Sequence, residues 1–313
     1  MSAIERLGLG LAALGRPAYI NVGSAEELPA SRGVAAMRAA TWEVLDAAYA
    51  AGIRWVDAAR SYGRAEEFLA GWLADRRHVD VTVSSKWGYA YVGEWRTDVD
   101  VHEVKEHTLA RYRSQLAETT ALLGDRLRLY QVHSLTADSP LFADAGLLRA
   151  LAETAAQGLP MGFSTTGAGQ ADTVRRALDL EVDGRRLFTS VQSTWNLLEP
   201  SVEPALREAH EAGLRVMVKE ALANGRLAVD PPRPLARLAE RYGAGPDAVA
   251  LAAALARLPW ADTVLSGAVS VPQLHANLAA AKLTLTAADL ADLAGLAVTP
   301  ADYWSARSAL PWA

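Results

Sequence analysis

With 313 residues, 51% of them hydrophobic, and a mean hydropathy of +0.05, the chain can bury a core the size of one α/β barrel. A net charge of −5 with acids and bases interspersed, and no basic run, argues against a nucleic-acid partner. The lack of cysteine excludes disulfides, thiolate metal sites and thiol nucleophiles, and no stretch of about 18 apolar residues is present to span a bilayer. Glu5 and Arg6 interrupt what would be the apolar part of a leader, so a soluble, cytoplasmic protein is expected.

LGLGLAALG (7–15) reads as the first strand. Its GLGLAA also fits the dinucleotide fingerprint G-x-G-x-x-G/A, but Gly15 and Pro17 break the helix that should open there, so a Rossmann site is rejected. Helix TWEVLDAAYAAG (41–52) stops on Gly52 and strand IRWVD (53–57) follows at once. Helix EEFLAGWLADRR (66–77) precedes strand VDVTVSSK (79–86), and a long amphipathic helix expected over about 101–123 precedes RLYQVH (128–133). Inside that helix, HEVKEH (102–107) holds histidines five apart, about 140° round a helix, so they do not share a metal ion and a solvated face is expected. A helix near 145–157, strand PMGFS (160–164) and a helix near 169–180 come next. Strand LFTSVQ (187–192), a helix over 201–212 and strand LRVMVK (214–219) continue the series. Helices at 232–242 and 246–257, strand TVLSG (263–267) and helix VPQLHANLAAAK (271–282) close it.

Strands and helices alternating at this spacing imply parallel strands joined by crossovers, and eight such units suit a closed (β/α)8 barrel. One domain over 1–313 is expected, with 15–33 and 220–234 as functional loops. Asp57, Lys86, His133, Ser164, Gln192 and Lys219 all fall at or just past the C-terminal ends of strands. In a barrel those ends form one face, where active sites are built.

Three of these residues, joined by Tyr62, make a chemical device. Hydride delivery to a carbonyl leaves an alkoxide that needs a proton. A tyrosine supplies it if its pKa, ordinarily about 10, is brought down. A lysine about 4 Å away, at an effective dielectric near 20, favours the phenolate by about 4 kcal/mol. The lysine needs a carboxylate partner, and a neutral imidazole orients the carbonyl oxygen. Tyr62, Lys86, Asp57 and His133 provide these parts. Taken singly each has a plainer reading: a helix cap, a solvated strand end, a core histidine, an ordinary tyrosine. The spacing DAARSYG and three successive strand ends favour the joint, catalytic reading.

At these residues the chain resembles an aldo-keto reductase. AAYAAGIRWVDAARSYGRAEEFLAGWL (47–73) is similar to that family's Asp/Tyr signature, VSSKWGY (83–89) to its lysine strand and LYQVHS (129–134) to its histidine strand. GFSTTG, VQSTWNLLEP, ALANGRL, YGAGPDAVALAAALA and VLSGAVSVPQLHANLAAA follow in the family's order, so the resemblance covers about residues 6–297. It implies Asp57, Tyr62, Lys86 and His133 as catalytic tetrad and NADPH lying across the barrel mouth. It further implies Ser164 and Gln192 at the nicotinamide carboxamide, Lys219, Leu222 and Gly225 along the cofactor, and Gly267, Gln273 and Asn277 at its adenosine end. Trp87, Trp195 and Trp304 are the expected substrate walls, joined by Tyr89, Tyr91, Trp95, Tyr303 and Trp312. A tail over about 298–313 is expected across the mouth.

Three positions depart from the family pattern. Thr165 replaces a common Asn. Lys219 replaces a stacking ring, either sitting near the nicotinamide or pairing with Glu220. VSVPQ (269–273) lacks the usual Arg or Lys for a 2′-phosphate, which leaves NADH as the alternative cofactor. The function expected is reversible reduction of a small, moderately apolar aldehyde or ketone. The alternatives are a cofactor-binding regulatory or interaction subunit with little turnover, an NAD-dependent sugar or alcohol dehydrogenase, or a barrel lyase using Lys86 as a Schiff base. Borohydride trapping would reveal the last of these.

Overall fold

The computed structural model describes residues 2–23 and 26–312. Strands β1 (Leu7–Gly10), β2 (Trp55–Asp57) and β3 (Thr82–Trp87) are followed by an antiparallel hairpin of β4 (Tyr89–Tyr91) and β5 (Glu103–Lys105). Then come β6 (Leu127–Leu135), β7 (Met161–Thr165) and a small ribbon of β8 (Glu181–Val182) with β9 (Arg185–Arg186). β10 (Ser190–Thr194), β11 (Arg215–Lys219) and β12 (Thr263–Ser266) complete the set. Eight of them close in the order β1-β12-β11-β10-β7-β6-β3-β2, all neighbours parallel, which is the (β/α)8 barrel the alternation implied.

Helices α1 (Val34–Ala50), α2 (Ala65–Arg76), α3 (Leu109–Leu123), α4 (Ala145–Ala156), α5 (Gln170–Leu178) and α6 (Glu203–Glu211) fill the first crossovers. After them come α7 (Arg226–Val229), α8 (Arg233–Tyr242), α9 (Pro246–Arg257), α10 (Val271–Leu278), α11 (Ala287–Ala294) and α12 (Pro300–Ser308). Among the described residues no helix is long and apolar enough to cross a membrane.

The expected helix over 101–123 is wrong in its first third. α3 starts only at Leu109, where Thr108 caps it by accepting from the Arg111 amide at 3.2 Å. Before that cap, residues 103–105 pair with Tyr89–Tyr91, and HEVKEH is not a solvated helix: His102 and His107 are both buried, each 5% exposed. Asp100 offers a cap at 101 too, but the pairing of residues 103–105 with Tyr89–Tyr91 prevails, and Thr108 caps the helix that does form. α1, by contrast, begins seven residues earlier than expected, through an alanine-rich stretch.

The barrel interior sorts itself by polarity along the strands. Leu129, Met217 and Leu265 form a separate apolar cluster against Trp55. Two residues further along, on the same faces, stand Asp57, Gln131 and Lys219. Asp57 on β2 bonds Gln192 on β10 at 3.2 Å although those strands are not neighbours, so both side chains reach across the barrel.

Candidate active site

Asp57 ends β2 in register with Ser84 of β3, and Lys86 stands two residues on, facing the same interior. One Asp57 oxygen pairs with the Lys86 ammonium. The other accepts from Ser84 Oγ at 2.7 Å and from Gln131 and Gln192, both at 3.2 Å. Lys86 also donates to the Ala58 carbonyl at 3.0 Å and to the Tyr62 hydroxyl at 3.3 Å, and it is fully buried. A buried ion pair stabilises a fold only when its remaining hydrogen-bonding capacity is met, and here the neighbouring strands meet it.

Tyr62 lies past the end of β2, and its ring meets His133 edge-on, centroids 5.4 Å apart. His133 sits near the end of β6, just before an irregularity in the ladder where Ser134 takes φ +54°. Its Nδ1 lies 3.3 Å from Ser61 Oγ. Burial, then the Lys86 and Lys219 ammoniums, hold the imidazole well below its ordinary value, so it is neutral at physiological pH. Burial, then the Asp57 carboxylate, hold the Tyr62 phenol well above 10, against Arg16, which works to lower it. Acidification by Lys86, as expected from the sequence, does not prevail over burial and Asp57 here. The ammonium is in closer contact with Asp57 than with the phenol, so at Tyr62 the pair acts as a dipole rather than a free cation.

These groups open onto a cavity of about 420 Å³, within the range of small-molecule sites. Asp57, Tyr62, His133, Gln192, Lys219, Leu222, Gly225, Gly267, Gln273 and Asn277 line it. Ser164 does not; its Oγ is buried and accepts the Ser134 amide at 2.8 Å. Gly225 has φ +86°, and a Cβ there would meet the Val22 carbonyl at 2.1 Å, so only glycine lets these two cavity loops touch. Lys219 lines the cavity while donating to Thr194 Oγ1 at 2.7 Å and to Glu220 at 3.4 Å. Arg307 of α12 grips Glu220 through two bonds of 2.8 and 2.6 Å. Against burial, which works to raise it, Lys219 and Arg307 hold the Glu220 carboxyl down at about 2.

Trp87, Trp195 and Trp304 lie off the cavity wall. Trp87 packs toward α3, 4.9 Å from the Tyr112 ring, and Trp195 is 2% exposed. Trp304 lies edge-on to Tyr303 and 6.0 Å from Lys219 Nζ. The aromatic wall comes instead from Tyr19 and Trp312, which meet edge-on at 6.1 Å, and its charged part from Arg16 and Glu103. Sequence reasoning missed Ser84 and Gln131 as well. Each is a polar residue two positions before a chosen one, on the same face of its strand, a signal that was readable.

A closed parallel barrel with a cavity at the C-terminal ends of its strands defines a (β/α)8-barrel protein whose site is on the usual face. The particular family follows from comparison: residues 6–297 match the model of the aldo/keto reductase family, and the chain belongs to it. It is similar to aldo-keto reductase str7 of Strobilurus tenacellus, 26% identical over 292 residues, covering 82% of this chain and 80% of that protein. In fold it is similar to the holo form of aldo-keto reductase AKR11C1 from Bacillus halodurans, with a TM-score of 0.68 and 22% identity over 94% of this chain and 92% of that one. The family uses nicotinamide cofactors.

Proposed function

We propose that this protein reversibly reduces an aldehyde or ketone to an alcohol with a nicotinamide dinucleotide, Tyr62 giving the proton. The observation that carries the reading is a phenol on the cavity wall 3.3 Å from a lysine that is itself tied to Asp57. When bound, the reduced nicotinamide supplies a hydride to the carbonyl carbon. The Tyr62 O–H gives its proton to the carbonyl oxygen, and Lys86 Nζ, already directed at the phenol oxygen, stabilises the negative charge left there. A neutral His133 orients the carbonyl without competing as an acid.

The wall fits such a cofactor. Asn21 Oδ1 and Asn224 Oδ1 are buried acceptors with no partner among the described residues, suited to amide or hydroxyl donors. A Cβ built at Gly267 would meet nothing within 4 Å, so the backbone there leaves room for a ligand. Tyr62→Phe should keep cofactor binding, read by tryptophan fluorescence, and lose turnover by about 100-fold or more across a panel of aldehydes. Near-normal turnover removes Tyr62 from this role. Cofactor binding by the unaltered protein with no turnover on the panel favours a regulatory subunit.

NADPH is the form the resemblance implies. A second reading, NADH, is favoured by Asp247, the second residue of α9, which lines the same cavity, while no wall residue from Leu265 to Asn277 is Arg or Lys. A carboxylate accepts ribose hydroxyls and repels a 2′-phosphate. On this reading NADH binds at least as tightly as NADPH in fluorescence titration, and Asp247→Ser narrows the gap. NADPH binding about tenfold tighter to the unaltered protein would restore the first form.

A further inference from the structure

Arg16, between β1 and α1, is the one charged residue of the cavity wall that is 99% buried without belonging to the tetrad: its exposure is 1%. Nε donates to the Ala12 carbonyl at 3.0 Å, and Nη1 to the Ser61 carbonyl at 3.2 Å and the Glu103 carboxylate at 2.9 Å. Nη2 makes no hydrogen bond among the described residues. Three rings surround the guanidinium: Tyr19 at 4.7 Å, Trp312 at 4.8 Å and Tyr62 at 5.2 Å from Cζ to centroid. His102 stacks on Trp312 at 4.3 Å, so the hairpin and the C-terminal segment meet over this residue. Nη2 borders the cavity, where it is free to donate to water or to a ligand.

Beside Tyr62, Lys86 is paired with Asp57 and Arg16 with Glu103, whereas Lys219 and Arg307 share the single carboxylate of Glu220. Nη2 is therefore a directional donor whose charge Glu103 already offsets, so an anion gains less from it than from an unpaired guanidinium. With Cζ 5.2 Å from the centroid of the phenol ring, Arg16 and Tyr62 face the same part of the cavity, close enough for one small substrate to reach both.

We infer that Arg16 binds the substrate through an oxygen on the carbon next to the reacting carbonyl, and that Glu103 sets it to accept neutral α-hydroxy carbonyl compounds over 2-oxo acids. This rests on the proposed role of Tyr62 as proton donor. Tyr19 and Trp312 close the subsite around the guanidinium, and Glu103 tunes its charge.

A three-carbon series tests it: glyceraldehyde, propanal and pyruvate. The unaltered protein should prefer glyceraldehyde to propanal by about tenfold or more in kcat/KM, the size of one charge-assisted hydrogen bond. Arg16→Met should bring that ratio close to one, with the change mainly in KM, and Arg16→Lys should recover part of it. Equal losses for both aldehydes would mean a structural clamp and overturn the inference. Glu103→Gln, which leaves the guanidinium unneutralised on a partly exposed hairpin, should raise pyruvate relative to glyceraldehyde; an unchanged ratio also counts against it. Binding of propane-1,2-diol against propan-1-ol, read by tryptophan quenching, needs no turnover. A diol preference lost in Arg16→Met supports the inference even where no carbonyl is reduced, an outcome that would instead end the role given to Tyr62. No diol preference in the unaltered protein overturns it.

Discussion

Two ion pairs flank the Tyr62 phenol, Lys86–Asp57 and Arg16–Glu103, and they are built differently. The first joins adjacent barrel strands in register, is buried on both sides, and has its spare oxygen held by Ser84, Gln131 and Gln192. The second joins the segment after β1 to the outer hairpin, and its acid is 22% exposed. A ladder fixes the first to within the tolerance of strand pairing, whereas the second depends on where two insertions meet over the mouth. The contrast separates chemistry, which needs rigid placement, from selection, which tolerates change in loops.

Removing one partner from each pair should expose that difference most strongly. Lys86→Met leaves Asp57 charged and buried, and should cost about 3–5 kcal/mol in denaturant unfolding along with most turnover. Glu103→Gln should cost less, about 2 kcal/mol, since the buried Arg16 it leaves keeps two backbone acceptors and the acid itself is partly exposed. Equal losses would mean that the hairpin belongs to the rigid scaffold after all.

The same contrast predicts how each region responds to pH. His133, beside the strand-end pair, and His107, under the hairpin with Nε2 2.9 Å from the His133 carbonyl, are both held neutral chiefly by burial, His107 down at about 4. Unfolded imidazoles take protons near 6.5, so stability from both is present above that pH and lost below it. The loss is about 1.4 kcal/mol per pH unit for each site, and the share of His107 is exhausted near pH 4. Denaturation midpoints should thus fall steadily from pH 6.5 to 4.5. Carbonyl reduction, by contrast, should stay level from about pH 6.5 to 9, because His133 remains neutral and Tyr62 protonated across that window. A drop in kcat/KM centred near 6.5 would show that His133 titrates normally.

The two regions also differ in how far they could be read from the chain. Alternating strands and helices, and polar residues at strand ends, led to the barrel and to the residues now found around Asp57, because both depend on local periodicity. Period-two alternation also held information that was not used. Trp87 follows the inward Lys86 and so had to face outward, toward Tyr112, rather than into the cavity. Ser84 and Gln131 share the faces of Lys86 and His133 and could have been named for the same reason. Arg16, Tyr19 and Glu103 carry no such signal. Contacts between segments far apart in sequence bring them together, and reading 101–123 as one helix hid Glu103 altogether.

Smallest in expected effect, but most specific to the mouth, is the contact that ties α12 down. Arg307 bonds Glu220 twice, while Glu220 also keeps Lys219 at 3.4 Å. Arg307→Ala therefore leaves the acid with one cation, and the expected cost is about 1–2 kcal/mol, below that of breaking the strand-end pair. Lys219 then becomes the only counter-charge to Glu220 and is drawn toward it, away from Thr194 Oγ1. Because both residues line the cavity, KM for carbonyl substrates should rise several-fold while kcat changes little, since Tyr62 and Lys86 sit on the barrel beneath. Should kcat fall with KM unchanged, α12 would be positioning the proton donor, and the division between rigid chemistry and adjustable mouth would fail at that point.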